Sequence, residues 1–264
     1  MMRYILPVFL WMALVAPPVF GKAVAADTLS SDNDSIEELL KEANEMHMSG
    51  KEEKSLELYE EVLEREETNL DALWNAAVLY SKKGYRKDSE DKMEEMYTKA
   101  LNLSERALEH HGDDGYAFYA YAVSKARMTE VMGRRNKIRA SKEIKENLEK
   151  AVDRLTDFAP VWHLFGVWHS DVANVSRAEK AAARLISGGL PDASNENAEK
   201  YLKKAVEMDE DNILFRLDLA KHYLEVDNND AAREQLQQIL ELDPKMQDDP
   251  MYKEEAEKLL DEID

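Results

Sequence analysis

The chain has no cysteine, and only 9 glycines and 7 prolines among its 264 residues. The first absence excludes disulfide scaffolds, zinc ribbons, iron–sulfur sites and cysteine nucleophiles. The second, about 6% of the chain against a usual ~12%, argues against turn-rich β-sandwiches and barrels, whose hairpins need residues that tolerate positive φ. Positive charge is scarce as well. Lys plus Arg total 35 against 55 Asp plus Glu, a formal charge of −20. An acidic surface repels phosphate, so nucleic-acid binding is disfavoured. No G-x-S-x-G elbow, Gly-rich phosphate loop or H-E-x-x-H motif occurs. The expectation is a protein that is not an enzyme and carries no cofactor or metal.

The amino terminus reads as an address. Arg3 precedes an apolar run, Tyr4 to Ala16, which ends at Pro17 and Pro18 and is followed by Ala23-Val24-Ala25-Ala26. This is the layout of a secretory signal peptide with an A-x-A site. The run is short for a membrane span, which needs ~20 residues. The boundaries expected are 1–26 for the signal peptide, 27–34 for a flexible leader and 35–264 for the folded domain. An uncleaved anchor is the alternative, and the only membrane contact foreseen. The expected compartment is the periplasm or the exterior of a Gram-negative bacterium. A chain without thiols cannot misoxidise there.

What the chain does have is a repeat. Gly50 and Gly84 lie 34 residues apart, each with an alanine seven upstream (Ala43, Ala77). Farther on, Ala107 and Ala122, Ala151 and Gly166, and Ala205 and Ala220 are each 15 apart. This pattern resembles the tetratricopeptide repeat, a pair of antiparallel helices. The resemblance implies close packing at the small residues and a left-handed glycine at the end of each first helix. The spacing widens in the middle of the chain, which predicts long helices over 90–111 and 123–155. The segment from Arg177 to Asn195 reads as an extra short helix ending at Gly188, with Ser194 as the next N-cap. Residues Met251 to Ile263 read as a capping helix. Asp71 reads as an N-cap. The fold expected is an all-α, tetratricopeptide-like α-solenoid of about five helix pairs.

A narrower resemblance covers roughly residues 100–245. Trp162-His163-Leu164, Gly166, Val172-Ala173, Ser176, Leu190-Pro191 and Ala193-Ser194 are similar to the regulator of microtubule dynamics family and its bacterial relatives. Arg177 stands where that family usually has an aromatic, and Ile186-Ser187-Gly188 stands for its Leu-Phe-Gly. The resemblance implies an all-helical domain used for protein contacts and carries over no catalytic residue. An exported chain does not meet microtubules, so that role does not follow.

In the repeat frame, position 5 of each first helix faces the concave groove and holds Leu40, Trp74, Tyr119, His163 and Leu217. Trp74, Tyr119 and His163 are the candidates for gripping a peptide or helix; interhelical packing is the other reading. Charge is unevenly spread. Residues 27–110 carry net −12, residues 187–264 net −13, and residues 111–186 net +3. Within the middle, Arg134, Arg135, Lys137 and Arg139 predict a basic prong for an acidic partner or anionic headgroups, unless neighbouring repeats neutralise it. His110-His111 with Asp113 and Asp114 reads as a solvated loop rather than a metal site. The function expected is a non-catalytic scaffold or adaptor of the cell envelope with a protein partner. A periplasmic small-molecule or ion-binding protein is the alternative, and a hydrolase a distant third.

Overall fold

The computed structural model describes residues 30–263. Among the described residues it holds twelve α-helices and no strand. They are α1 (Ser30–Met48), α2 (Glu52–Arg65), α3 (Leu70–Tyr85), α4 (Glu90–His110), α5 (Gly115–Met128), α6 (Arg134–Arg154), α7 (Ala159–Asn174), α8 (Arg177–Ser187), α9 (Asn195–Met208), α10 (Ile213–Glu225), α11 (Asn229–Glu241) and α12 (Asp249–Ile263). Five antiparallel pairs form: α1 with α2, α3 with α4, α5 with α6, α7 with α9, and α10 with α11. Helix α8 is inserted in the fourth pair and rests on α6, while α12 covers α10 and α11. The chain is therefore a five-repeat solenoid with a final cap. The expected signal peptide lies outside the described residues. Helix α1 begins at Ser30, inside the stretch expected as a leader.

Short polar side chains start most of the inner helices. Asn69, Asp114 and Asn212 accept hydrogen bonds from the backbone N–H of Ala72, Tyr116 and Phe215, at 3.1, 2.7 and 3.2 Å. Each satisfies a donor that has no partner within the helix. The cap of α3 is thus Asn69 and not Asp71, which lies inside the first turn. Ser194 caps α9 as its sequence context indicates, accepting from Asn197 N–H at 3.2 Å.

The stacking of repeats rests on the small residues 15 apart. Ala107, Ala122, Ala151, Ala205 and Ala220 are all fully buried. At Gly166 one helix backbone presses directly on another. A Cβ placed there would stand 2.7 Å from Leu202 Cγ and 2.9 Å from the Leu202 backbone nitrogen. Gly84 works in a similar way, pressed onto the Tyr97 ring. It is helical and does not end α3, contrary to the left-handed role the repeat pattern implies. Positive φ occurs at Gly50, which does follow α1 as the pattern implies, and at Gly188, Gly189 and Asp227. The wide central spacing is met by 21-residue helices at α4 and α6. The stretch 123–155 is not one helix. It breaks at a 3-10 turn, Thr129–Val131, before Gly133 starts α6.

Gly166→Ala is expected to lower stability by about 1–3 kcal/mol, because the backbone of α9 cannot retreat without parting the repeat. Chemical denaturation reads this directly, and an unchanged midpoint would contradict the close approach.

Candidate interaction surfaces

The three concave-groove candidates do not face an open groove. Trp74 is 5% exposed, and Tyr119 and His163 not at all. Each is covered by an aromatic near the start of the following inner helix. Trp74 stacks on Tyr116, with centroids 4.9 Å apart. Tyr119 meets the edge of Phe158 at 5.2 Å. His163 stacks on Phe215 at 4.5 Å, and its Nε2 lies 2.8 Å from Asp218 Oδ2. Close stacking of one inner helix on the next turns these positions into core. The signal available in the sequence was the recurrence of Tyr116, Phe158 and Phe215 at the next helix start.

The interior of the superhelix is closed by the C-terminal segment. Arg86, just after α3, donates to both carboxylate oxygens of Asp248, from Nε at 2.7 Å and Nη2 at 2.6 Å. Its Nη1 lies 2.6 Å from Glu52 at the start of α2, and Lys82 also pairs with Glu52. Glu52, Lys82 and Asp248 are all buried. Burial pushes the Glu52 carboxyl up, but Lys82 and Arg86 outweigh it and hold it below the ordinary carboxylate value. Next to this knot, Arg127 is buried with Nη1 2.7 Å from Glu130 and its guanidinium 4.6 Å from the Tyr85 ring centre. Tyr252 of α12 is buried within the field of Arg127, Asp218 and Asp248. Lys221 of α10 holds Glu255 of α12 at 2.8 Å. Residues from the first, second, third and fifth repeats therefore meet the last helix and the segment leading into it.

The basic candidates are placed differently. Arg134, Arg135 and Arg139 are exposed and Lys137 half-buried, all within the first two turns of α6. Among the described residues no ion pair involves them, whereas Lys125 and Lys145 are neutralised by Glu143 and Glu149. The first turn of α6 has no acidic residue. Positive charge at a helix N-terminus opposes the macrodipole, by ~0.3–1 kcal/mol for each cation in that turn. The cluster is an outward feature that local helix stability does not favour. Of the paired histidines, His111 is structural, with its Nε2 2.6 Å from the Thr68 carbonyl.

With this geometry in view, the comparisons are specific. The sequence profile of regulator of microtubule dynamics protein 1-3 matches residues 39–264. The chain belongs to that family. Mouse regulator of microtubule dynamics protein 1 is 28% identical over 230 residues, spanning 85% of this chain and 74% of the mouse protein. Rat regulator of microtubule dynamics protein 3 is 24% identical over 90% of this chain, which matches 51% of the rat protein. Among solved structures, a thermophilic TPR protein of Thermus thermophilus superposes with a TM-score of 0.61 at 17% identity, covering 84% of this chain and 99% of that one. That likeness shows the fold.

One cavity, of about 570 Å³, opens between α6, α7 and the start of α9. Phe165 and Tyr201 stack on one wall with centroids 5.0 Å apart, beside His169, Lys145 and Glu149. His169 Nδ1 accepts from the Ser194 backbone N–H at 3.3 Å. Burial first, and Lys145 second, push its pKa down to about 4. The imidazole is neutral at pH 7. Among the described residues no cluster of three or more His, Cys, Asp or Glu could hold a metal ion.

Two outcomes follow from these contacts. Arg86→Ala strands the buried Asp248 carboxylate and leaves Glu52 with Lys82 alone, and is expected to cost about 3–5 kcal/mol in urea unfolding. A loss under about 1 kcal/mol would show that the knot does not hold the C-terminal segment. For His169 the depressed native pKa stabilises the fold above its ordinary value of 6.5, and that stability is lost as pH falls toward about 4. Stability measured across this window should fall, and His169→Gln should flatten part of the slope.

Proposed function

We propose that this protein is a non-catalytic interaction scaffold of the cell envelope, and that its primary contact surface is the basic start of α6 rather than the concave groove. The observation that carries the reading is the set of four cations without an ion pair among the described residues, the exposed Arg134, Arg135 and Arg139 and the half-buried Lys137, while the rest of the chain is strongly acidic. Complementary charge guides encounter and selects partners. The interior offers no comparable surface, because its aromatics are core and its polar groups are tied to Asp248 and Glu255. The N-terminal segment supports export to the periplasm. The relatives' names tie them to microtubules, a partner that an exported chain does not encounter.

The cavity beside His169 supports a second reading, a small-ligand site walled by Phe165 and Tyr201. Thermal shift against metabolite panels is its test, and a flat response removes it.

Crosslinking and recovery of the mature chain from its native envelope tests the first reading. The chain reversed to Glu at Arg134, Arg135, Lys137 and Arg139 should lose the acidic partner that the unaltered chain retains. Equal recovery by both chains would contradict the proposal.

A further inference from the structure

The inserted helix α8 faces the wrong way for an ordinary packed helix. At 100° per residue, Ala178, Ala181, Ala182 and Leu185 fall within an arc of about 100°. This apolar stripe points to solvent: Ala178 and Ala181 are exposed, and Leu185 is 90% exposed. The opposite side meets the protein, with Ala183 only 2% exposed and Lys180 Nζ donating to the Ala173 carbonyl at 2.7 Å. Ile186, 38% exposed, extends the outward patch by one large side chain.

The helix does not depend on burial to form. A capping box closes its start, where Ser176 Oγ accepts from Glu179 N–H at 3.3 Å and Glu179 Oε2 accepts from Ser176 N–H at 3.2 Å. Its end is closed by Gly188 at φ 77, with Gly188 and Gly189 N–H donating to the carbonyls of Arg184 and Ala183. Such a helix can present an apolar stripe outward and remain folded.

The surroundings are basic. Arg177 and Arg184 flank one side of the stripe, and both are exposed. Helix α8 packs on α6, and Trp168 Nε1 donates to the Ser141 carbonyl at 3.2 Å, so the end of α7, from which α8 departs, lies beside the first half of α6. The four unpaired α6 cations belong to that same half.

We propose that the α6–α8 edge docks on an anionic lipid surface, with Leu185 and Ile186 entering the interface and the surrounding arginines and lysine lying among the headgroups. Two observations favour lipid over a protein surface. An outward stripe of one leucine and two exposed alanines, with Ala182 half-buried, on an 11-residue helix is far smaller than the ~800 Å² that each partner buries in a stable protein interface. A shallow apolar insertion ringed by Lys and Arg is, by contrast, the composition that holds interfacial helices on anionic membranes. This route is independent of the N-terminal segment. It rests on the reading of the α6 cations as a contact surface, and adds the identity of what they contact.

The test uses the mature full-length chain and vesicles made of equal parts phosphatidylglycerol and phosphatidylcholine, with pure phosphatidylcholine vesicles as the neutral comparison. The chain is expected to co-sediment with the anionic vesicles only, and to be released as salt rises. Leu185→Asp should weaken vesicle binding at least about tenfold, since a full leucine burial is lost. Its exposed position should leave the circular dichroism and melting curve unchanged. Leu185→Trp should show a blue-shifted emission on anionic vesicles. Absence of vesicle binding, full binding by Leu185→Asp, or an unshifted Leu185→Trp emission would each overturn the proposal. If vesicles do not bind while charge reversal on α6 still abolishes recovery of a protein partner, the lipid assignment fails and the scaffold reading stands. If charge reversal changes neither, both fail.

Discussion

No helix pair in this chain can bury its own apolar face, so the whole structure depends on close stacking of one repeat on the next. The small residues Ala107, Ala122, Ala151, Gly166, Ala205 and Ala220 make that stacking possible. Once the inner helices approach this closely, aromatic side chains at one repeat are covered by those of its neighbour. Trp74, Tyr119 and His163 become core for that reason. The same packing brings the turn after α3 to the segment before α12, and Arg86 meets Asp248 across 162 residues of sequence.

This closure has a functional consequence. A helical-repeat groove usually offers extended apolar surface to a peptide. Here the equivalent space is filled by Tyr252 and tied by ion pairs, from Arg86 to the buried Asp248 and from Lys221 to the half-buried Glu255. Buried ion pairs contribute little net stability against an apolar alternative, but removing one partner is costly. They make the C-terminal position specific. The proposed contact surface is therefore on the outside, where the net −20 chain carries an unpaired basic edge.

Much of the fold was legible in the residues because it depends on local spacing. The 34-residue period, the 15-residue junctions, the Ser194 cap and the helix ending at Gly188 are all short-range signals, and each has its counterpart in the structure. Asn69 and Asp71 both suit the α3 cap by residue type, and only the hydrogen bond to Ala72 separates them. The residue type at Gly84 does not separate the two roles, since a glycine can serve a tight approach as well as a left-handed turn. The site was less legible. Whether Trp74 faces solvent depends on Tyr116 and Phe158 of the following repeats covering it, a contact between repeats that the recurrence of aromatics at helix starts signals only indirectly. That the α6 cations form no ion pair among the described residues, and that α8 turns its stripe outward, both depend on how neighbouring helices are placed.

We propose a solenoid that is sealed inside and makes its contacts through the outer basic edge. Hydrogen exchange of the mature chain, free and bound to its native envelope fraction, tests this most directly. New protection is expected only in the first turns of α6 and in α8, with α3, α5 and α12 unchanged. Protection along α3 and α5 together with faster exchange in α12 would mean that the C-terminal segment gives way to a ligand in the groove, and would contradict it.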